Sequence, residues 1–262
     1  MLRAWSRIFA AACFATGALF ANPIDIYTPE WMLQSSGTSY INTGNVERVL
    51  LRGDLLFSYH NPTWAAATTT SYTWGTFNAN RAENDWSNRN FLYAWPQQVI
   101  YPFAMHWLET GYRRKIDLRN QAGAGATWAI FSSADAVLKL SLMLSGEATD
   151  YASPAYLADE TPQTTERPLL RATPRLYYQQ RIGTDALKLT SELWFQQAIR
   201  MANDYRWHWE NGLEFALSKT LSLKALFIYH FESAVPKRVV RQDVIWTFGI
   251  TAKWAGEKTK QE

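Results

Sequence analysis

The sequence predicts an all-β fold, a transmembrane antiparallel up-and-down β-barrel of about twelve strands. Residues 241–254 alternate strictly between large apolar side chains and small or polar ones, as a strand does when one face contacts an apolar medium. The apolar face begins and ends near tryptophan, a residue that favours the two interfaces of a bilayer. Aromatic residues make up 15% of the chain, and the alternating pattern recurs along most of it.

The composition fits such a barrel better than the alternatives. The 262 residues suit one domain, and charged residues make up 19% of them. The mean hydropathy is slightly negative, which excludes a helical membrane protein but not a barrel, because half of each barrel strand faces water. A soluble β-sandwich would have a similar average, and the aromatic content and long strands argue against it. The net charge of +3 is small and the basic residues are scattered, so no nucleic-acid partner is expected.

Residues 1–21 are predicted to be a signal peptide. Arg3 and Arg7 precede the apolar run 8–20, and small residues lead up to a cleavage position after Ala21. A retained helical anchor is the alternative, but the run is too short to span a bilayer comfortably.

The remaining chain is divided into a barrel over 22–254 and a polar C-terminal tail over 255–262. Cys13 is the only cysteine, and the apolar core before it is too short to favour a lipoprotein site. If cleavage follows Ala21, the mature protein has no cysteine and needs no disulfide, although its compartment would permit one.

Alternation and turn residues order the first half of the barrel. Gly44-Asn45 and Asn61-Pro62-Thr63 are predicted as tight turns. Polar segments at 80–85 and 115–120 are predicted as loops, and the glycines on alternate positions of 121–131 indicate crowding or bending of the wall. Strands are expected at 31–43, 46–60, 64–79, 86–95, 101–113 and 121–131.

The second half continues in the same way. Residues 150–168, with three prolines and the acidic residues Asp159, Glu160 and Glu166, are predicted as the one long loop. With both termini in the periplasm, this loop and those near residues 80, 115, 200 and 233 are extracellular, and the shorter turns are periplasmic. Strands are expected at 137–148, 169–182, 187–196, 205–217, 221–231 and 241–254.

Several short motifs occur in order along the chain. They are Thr43-Gly44-Asn45, Glu109 to Arg113 followed by Gln121 to Gly125, Asn203 to Arg206 leading to Asn211-Gly212-Leu213, Leu221 to Lys224, and Asp243 to Trp254. Taken together, these motifs resemble the domain of unknown function 481 family, also called putative salt-induced outer-membrane proteins. The resemblance covers about residues 31–254 and implies an outer-membrane β-barrel, with no activity and no catalytic residues to carry over. The polar tail departs from it, because such barrels commonly end on the aromatic residue of the last strand.

Charged and histidine side chains on the face opposite the apolar one are predicted to line the lumen. They are Arg48, Arg52, Asp54, Lys188, Glu192, Arg206, His208, Glu210, Glu214, Lys224, His230, Glu232 and Lys253. This lining has two interpretations, a selectivity surface or a plug of paired charges that cannot face lipid, and the plug is favoured. The two histidines near acids lack a closed ligand set, so no metal site is expected.

Neither an enzyme nor a cofactor is predicted. No nucleotide-binding or zinc motif is present. A lipid enzyme on a barrel would need a serine beside an outward-facing histidine at membrane depth, with a partner to orient it. The four histidines, His60, His106, His208 and His230, do not lie beside such a serine in the sequence.

Three hypotheses for function remain, all in the outer membrane of a Gram-negative envelope. The first is a narrow, porin-like channel or a stress-related envelope component. The second is a plugged structural or adhesion-type barrel that acts through its extracellular loops, and the third is a barrel lipid-modifying enzyme. The expected partners are outer-membrane lipid, the barrel assembly machinery and, if the lumen is open, a small solute.

Overall fold

The structure, a computed structural model, describes residues 30–43, 47–133, 135–157, 161–163, 166–183 and 186–256. The predicted signal peptide lies outside the described residues, as does the tail beyond Gly256. The described part of the chain contains no helix that is long and apolar enough to cross a membrane.

Within the described residues, twelve long antiparallel strands form one closed barrel, which confirms the predicted fold. Two short strands lie in loops and pair with each other, β8 (Ala155–Tyr156) and β13 (Val235–Pro236). The barrel strands are β1 (Trp31–Asn42), β2 (Arg48–His60), β3 (Trp64–Phe77), β4 (Asn80–Ala94), β5 (Ile100–Gly111), β6 (Ile116–Ser132), β7 (Ala136–Tyr151), β9 (Glu166–Ile182), β10 (Leu187–Ala198), β11 (Tyr205–Ala216), β12 (Leu221–Glu232) and β14 (Gln242–Ala255).

Each barrel strand pairs with the next one along the chain, and the last strand closes the ring on the first. β14 pairs with β1 from Ala255 opposite Met32 to Phe248 opposite Ser39. The ring therefore has no open edge, as a sheet in lipid requires, because unpaired backbone groups cannot hydrogen-bond to acyl chains.

The two ends of the barrel differ, as the sequence predicts. The end that we call the loop end carries the connections 43–47, 78–79, 112–115, 152–165, 199–204 and 233–241. The other, the turn end, carries 61–63, 95–99, 133–135, 183–186 and 217–220, together with the start of β1 and the end of β14. That the loop end is extracellular stays a prediction.

Three predicted loops are partly strand. Residues 80–85 begin β4, residues 116–120 begin β6, and the long loop is shorter than 150–168 because β7 reaches Tyr151 and β9 begins at Glu166. Glu83 and Arg119 are buried inside the barrel. Polar residues that face the lumen remove the contrast between the two faces of a strand, and such a segment resembles a loop in sequence.

The predicted orientation of β14 is confirmed. Phe248 is 61% exposed on the outside of the barrel, whereas Thr247 beside it is fully buried. Exposed aromatic side chains lie toward both ends of the outer wall, among them Trp64 and Trp128 near the turn end and Tyr72 near the loop end. This is the arrangement of the two aromatic girdles of a membrane barrel.

The glycines of β6 allow β7 to approach closely. A Cβ atom added to Gly125 would overlap the backbone carbonyl oxygen of Leu142, and one added to Gly123 would overlap that of Leu144. The crowding predicted from the alternate glycines is therefore confirmed, and its cause is the close packing of two adjacent strands.

Phe248→Arg should lower the free energy of unfolding from lipid vesicles by about 2–4 kcal/mol if the residue lies near the midplane, because the charge would contact acyl chains. Denaturant titration of the refolded protein measures this loss. Phe248→Leu is the control and should cost far less. An unchanged midpoint in Phe248→Arg would mean that this face does not contact lipid.

Gly125→Ala should destabilise the barrel by about 1–3 kcal/mol, because the added methyl group forces β6 and β7 apart. Gly53 on the outer face of β2 provides the control, since a Cβ atom added there meets no atom within 4 Å. Gly53→Ala should leave the unfolding midpoint unchanged or raise it slightly, because it restricts the unfolded chain. Equal losses in the two variants would contradict the close approach of β6 and β7.

Candidate functional site: the barrel lumen

The structure places the predicted lining residues on the inner side of the wall, and most of them contact one another or another charged inner residue. Lys188 Nζ lies 3.0 Å from Glu214 Oε2, and Lys224 Nζ lies 3.7 Å from Asp54 Oδ2. Arg52 lies 2.8 Å from the same aspartate. Whether these side chains line a solute path stays a prediction.

A charged cluster crosses the lumen near the loop end. Arg119 Nη1 donates to Glu109 Oε1 at 2.6 Å and to Glu232 Oε1 at 2.8 Å, and its Nη2 donates to Glu232 Oε2 at 2.9 Å. Arg114 Nη1 adds a contact of 2.9 Å to Glu232. We call these four residues the loop-end cluster.

The loop-end cluster joins strands that are nearly opposite in the ring. Arg119 lies on β6 and Glu232 lies on β12. In the ring of twelve strands, β12 is the fifth strand from β6 along the shorter path. Both side chains are buried. The two-pronged contact between guanidinium and carboxylate is the strongest ion-pair geometry that proteins offer, and here it bridges the bore.

A second buried network lies beside the first. Glu147 Oε2 accepts hydrogen bonds from Arg171 Nε at 3.1 Å and from Arg206 Nη2 at 2.5 Å. Arg206 also donates to Gln121 and Gln196, and Arg171 donates to Asp204 at 3.0 Å. The network connects β6, β7, β9, β10 and β11, so it fills one side of the lumen with neutralised charge.

At mid-height, an arginine reaches two carboxylates on the opposite wall. Arg89 on β4 lies 3.6 Å from Glu192 Oε2 and 3.6 Å from Glu210 Oε2. β4 and β11, which carries Glu210, are six strands apart in either direction around the ring, so this contact spans its full width. Arg175 Nε donates a hydrogen bond to the other carboxylate oxygen of this residue, Glu192 Oε1, at 2.5 Å.

The two predicted lining histidines meet at the same level. The Nδ1 atoms of His208 and His230 are 3.1 Å apart, and His208 Nε2 lies 3.6 Å from Glu210 Oε2. The ring of Trp107 packs edge-on to His208 at 6.1 Å between centroids. No group of three or more histidine, cysteine or acidic residues suited to a metal ion occurs in the part of the chain that the structure describes.

Apolar side chains fill the lumen next to these charges. Phe103, Met105, Trp107, Met143 and Trp194 form a buried cluster. The rings of Trp107 and Trp194, which come from β5 and β10, are 5.8 Å apart. The guanidinium of Arg175 lies 5.0 Å from the centroid of the Trp194 ring, a cation–π contact that joins the charged and aromatic parts.

The inner face of β12 and β14 is also shielded from solvent in part. Thr247 and Thr251 on β14 are fully buried, and their hydroxyl groups have no hydrogen-bond partner among the described residues. Leu226 and Ile228 on β12 are each 1% exposed. The wall is therefore closely packed around these four residues, whereas the side chain of Glu210 on β11 keeps 23% of its surface exposed.

Several partners of the lining residues are not found by sequence reasoning. Arg89, Glu109, Arg119, Glu147 and Arg171 carry the networks, and none was predicted. The prediction of a loop over residues 115–120 excludes Arg119 from the expected lining. The others alternate with outer-face residues, so a stricter reading of the period-two pattern would have placed them inside.

An open pocket of about 730 Å³ lies at the loop end, outside the packed part of the lumen. Arg113 lies between two carboxylates there, 3.3 Å from Glu83 and 2.9 Å from Asp243. Arg48, Tyr112 and Lys115 line the pocket with Glu83 and Arg113.

The histidine that faces outward lacks a nucleophile beside it. His106 lies on the outer face of β5, where its Nε2 donates to the amide oxygen of Asn120 at 3.0 Å. Along β5 its outer neighbours are Ala104 and Leu108, and the residues opposite it are Asn90 and Ala122. A hydrolytic serine is absent from these neighbouring positions.

Fold and lumen together define a closed transmembrane β-barrel with a packed, charge-paired interior. The chain belongs to the family described as Protein of unknown function, DUF481, whose profile matches residues 37–254. The resemblance to the domain of unknown function 481 family is thus confirmed. No curated protein matches the chain.

The chain is similar to solved structures of outer-membrane barrels at low sequence identity, and the first of the following three shows the same fold. The NanC porin is 9% identical with a TM-score of 0.52, and the match covers 84% of this chain and 100% of the porin. The translocator domain of the autotransporter NalP from Neisseria meningitidis is 10% identical with a TM-score of 0.45, over 95% of this chain and 93% of that one. The KdgM porin is 11% identical with a TM-score of 0.41, over 85% and 98%.

Glu232→Ala should cost about 3–5 kcal/mol of unfolding free energy, because it leaves Arg119 buried without its two-pronged partner. The double variant Arg119→Met, Glu232→Leu removes both charges and should cost much less than the sum of the losses in Arg119→Met alone and Glu232→Leu alone. Denaturant unfolding from lipid vesicles gives all the values. Additive losses would mean that the two side chains do not pair across the lumen.

Proposed function

We propose that the protein is an outer-membrane barrel whose lumen is closed at rest, and that it acts at the envelope through its loop-end surface. The outer-membrane location is supported by the closed ladder, the apolar outer wall and the aromatic residues toward both of its ends. The main support for a closed lumen is the contact between Arg89 and Glu210. The two residues lie on strands that are directly opposite in the ring.

The types of residue in the lumen support a plug. Eight strands give a barrel that ordinary side chains can fill, whereas 16 to 18 leave an aqueous channel. A ring of twelve strands is intermediate, and only long side chains can meet across it. Arginine, glutamate and tryptophan occupy the inner positions where opposite walls touch, at Arg89, Arg119, Glu232, Trp107 and Trp194.

The balance of charge also favours a plug over a selectivity lining. A pore that selects ions by charge has an excess of one sign along its wall. Here each cation of the three networks lies beside a carboxylate, as Arg119 does beside Glu232 and Arg206 beside Glu147. Mutual neutralisation within these networks weakens the field that would attract an ion into this part of the bore.

The loop-end pocket is the surface that we assign to contact with a partner. It combines the basic side chains Arg48, Arg113 and Lys115 with the aromatic ring of Tyr112, so it suits a small polar solute. Outer-membrane lipid surrounds the wall, and the barrel assembly machinery inserts it. None of these partners is needed to hold the lumen closed.

A narrow channel that opens when the ion pairs separate is the second candidate. It is favoured by the nature of the obstruction at the loop end, where the ends of the long side chains of Arg114, Arg119 and Glu232 meet. The described residues contain no helix that could enter the bore, and the loop residue Ala155 packs at this end against Ile116 and Tyr151. Rotation of a few side chains would remove this part of the obstruction.

Planar-bilayer recordings separate the two candidates. The wild-type protein should show no stable conducting level, and neither should Arg89→Ser, Arg119→Ser, because the aromatic cluster still blocks the bore. Lys115→Ser, which removes a cation outside the plug, is the control. A folded barrel migrates differently on a gel before and after boiling. This difference verifies that each variant is folded.

Each outcome decides between the candidates. A steady open level in the wild-type protein would refute the closed lumen. Openings in the double arginine variant alone would show that ion pairs are the only gate and would favour the second candidate.

A further inference from the structure

The outer wall carries a group of polar side chains where a membrane barrel normally presents apolar ones. We call it the outer polar patch, and it lies on four consecutive strands, β3 to β6. The register sets Thr68 opposite Asn90 and Asn90 opposite His106, so the patch is continuous across the strands. Its members are Thr68, Thr70, Asn88, Asn90, His106 and Asn120.

The patch is held together by hydrogen bonds between side chains. Asn88 Nδ2 donates to Thr70 Oγ1 at 2.9 Å, and Asn90 Nδ2 donates to Asn88 Oδ1 at 2.5 Å. The amide oxygen of Asn120 accepts from His106 Nε2. These bonds satisfy part of the patch, but the Asn90 amide oxygen and His106 Nδ1 have no partner within the described chain.

The patch lies at membrane depth and not at a water interface. On the outer face of β3, Thr68 and Thr70 lie between Trp64 near the turn end and Trp74 near the loop end. Ten residues of strand span roughly 33 Å. With the usual tilt this corresponds to the apolar band of about 25 Å in membrane barrels, so the two threonines lie near its centre.

The opposite wall at similar depth has a different character. Its outer face presents mainly apolar side chains, among them Leu213, Phe227 and Phe248. The polar exceptions are Ser191 and Asn211, which lie opposite each other on β10 and β11. Polar side chains in contact with acyl chains lose their hydrogen bonds to water, and membrane proteins place them where another protein surface satisfies them. The patch therefore requires a protein partner, whereas lipid alone satisfies the apolar wall.

The chemistry of the patch identifies the partner. A lipid headgroup is unsuited, because the patch carries asparagine and threonine at mid-depth and no lysine or arginine. Amide groups both donate and accept, so a surface of amides is complementary to a copy of itself. The flanking outer residues Ala104, Ala122, Ala124 and Ala126 are small and allow two walls to approach closely.

Symmetry makes this pairing possible without rearrangement. All copies of a barrel enter the outer membrane in the same orientation, so two copies can be related by a two-fold axis along the membrane normal. Side chains at equal depth then face each other across the axis. We propose that a second copy of this chain docks on the outer polar patch and that the protein is a dimer in the membrane.

Cysteine cross-linking in outer-membrane vesicles tests the proposal. Ala104→Cys, in the full chain with Cys13→Ser, places one thiol beside the patch. Ala225→Cys in the same background is the matched control, since both alanines face outward and are the fifth residue of strands that start at the turn end. Oxidation should give at least ten times more covalent dimer from Ala104→Cys than from Ala225→Cys.

The opposite results would overturn the proposal. Equal yields from the two positions would indicate random collision, and a cross-link from Ala104→Cys to a different protein would mean that the partner is not a second copy.

A second measurement uses variants that remain compatible with lipid. Asn88→Leu, Asn90→Leu should still fold, shown by unchanged heat-dependent gel migration, because leucine is favourable on an outer wall. Light scattering of the purified protein in mild detergent should give the mass of two chains for the wild type and of one chain for this variant. A wild-type monomer, or a variant that remains dimeric, would contradict docking on the patch.

Discussion

Closure of the hydrogen-bond ladder between β14 and β1 is the constraint on which the rest of this structure depends. In acyl chains an unpaired backbone N–H or C=O group has no solvent partner, so every strand must pair on both sides. A closed pleated wall has only two faces. Each residue is thereby committed either to lipid or to the lumen, as Phe248 and Thr247 are on the last strand.

The charged plug is a consequence of that closed wall. Twelve strands enclose more space than short side chains can fill, and the inner positions that cross the space hold Arg89, Arg119, Trp107 and Trp194. A buried charge that loses one partner is strongly destabilising, whereas a complete pair is tolerated. The long side chains that close the bore must therefore be balanced across it, and Glu232 and Glu210 provide this balance.

The same alternation produces an outer wall with two unlike halves. β11, β12 and β14 present mainly large apolar side chains, which lipid satisfies. β3 to β6 present amides, hydroxyl groups and an imidazole among alanines, which lipid does not satisfy. With the bore filled, the surfaces left for contact with other molecules are the loop end and this polar half of the wall.

Periodicity alone determined that the chain is a membrane barrel, how many strands it has and which way most side chains point, because a period of two follows directly from the pleat. Periodicity wrongly predicted loops at residues 80–85 and 116–120. Polar residues on the inner face of these strand segments make them resemble turns in sequence. Periodicity placed Arg206, His208 and Glu232 inside but could not pair them. Arg89 and Glu210 are distant in sequence, and they meet only because the ring closes with twelve strands and a fixed register. Tertiary structure alone decided which of these side chains meet across the lumen, because whether opposite side chains touch depends on the width of the ring and not on the order of residues along a strand.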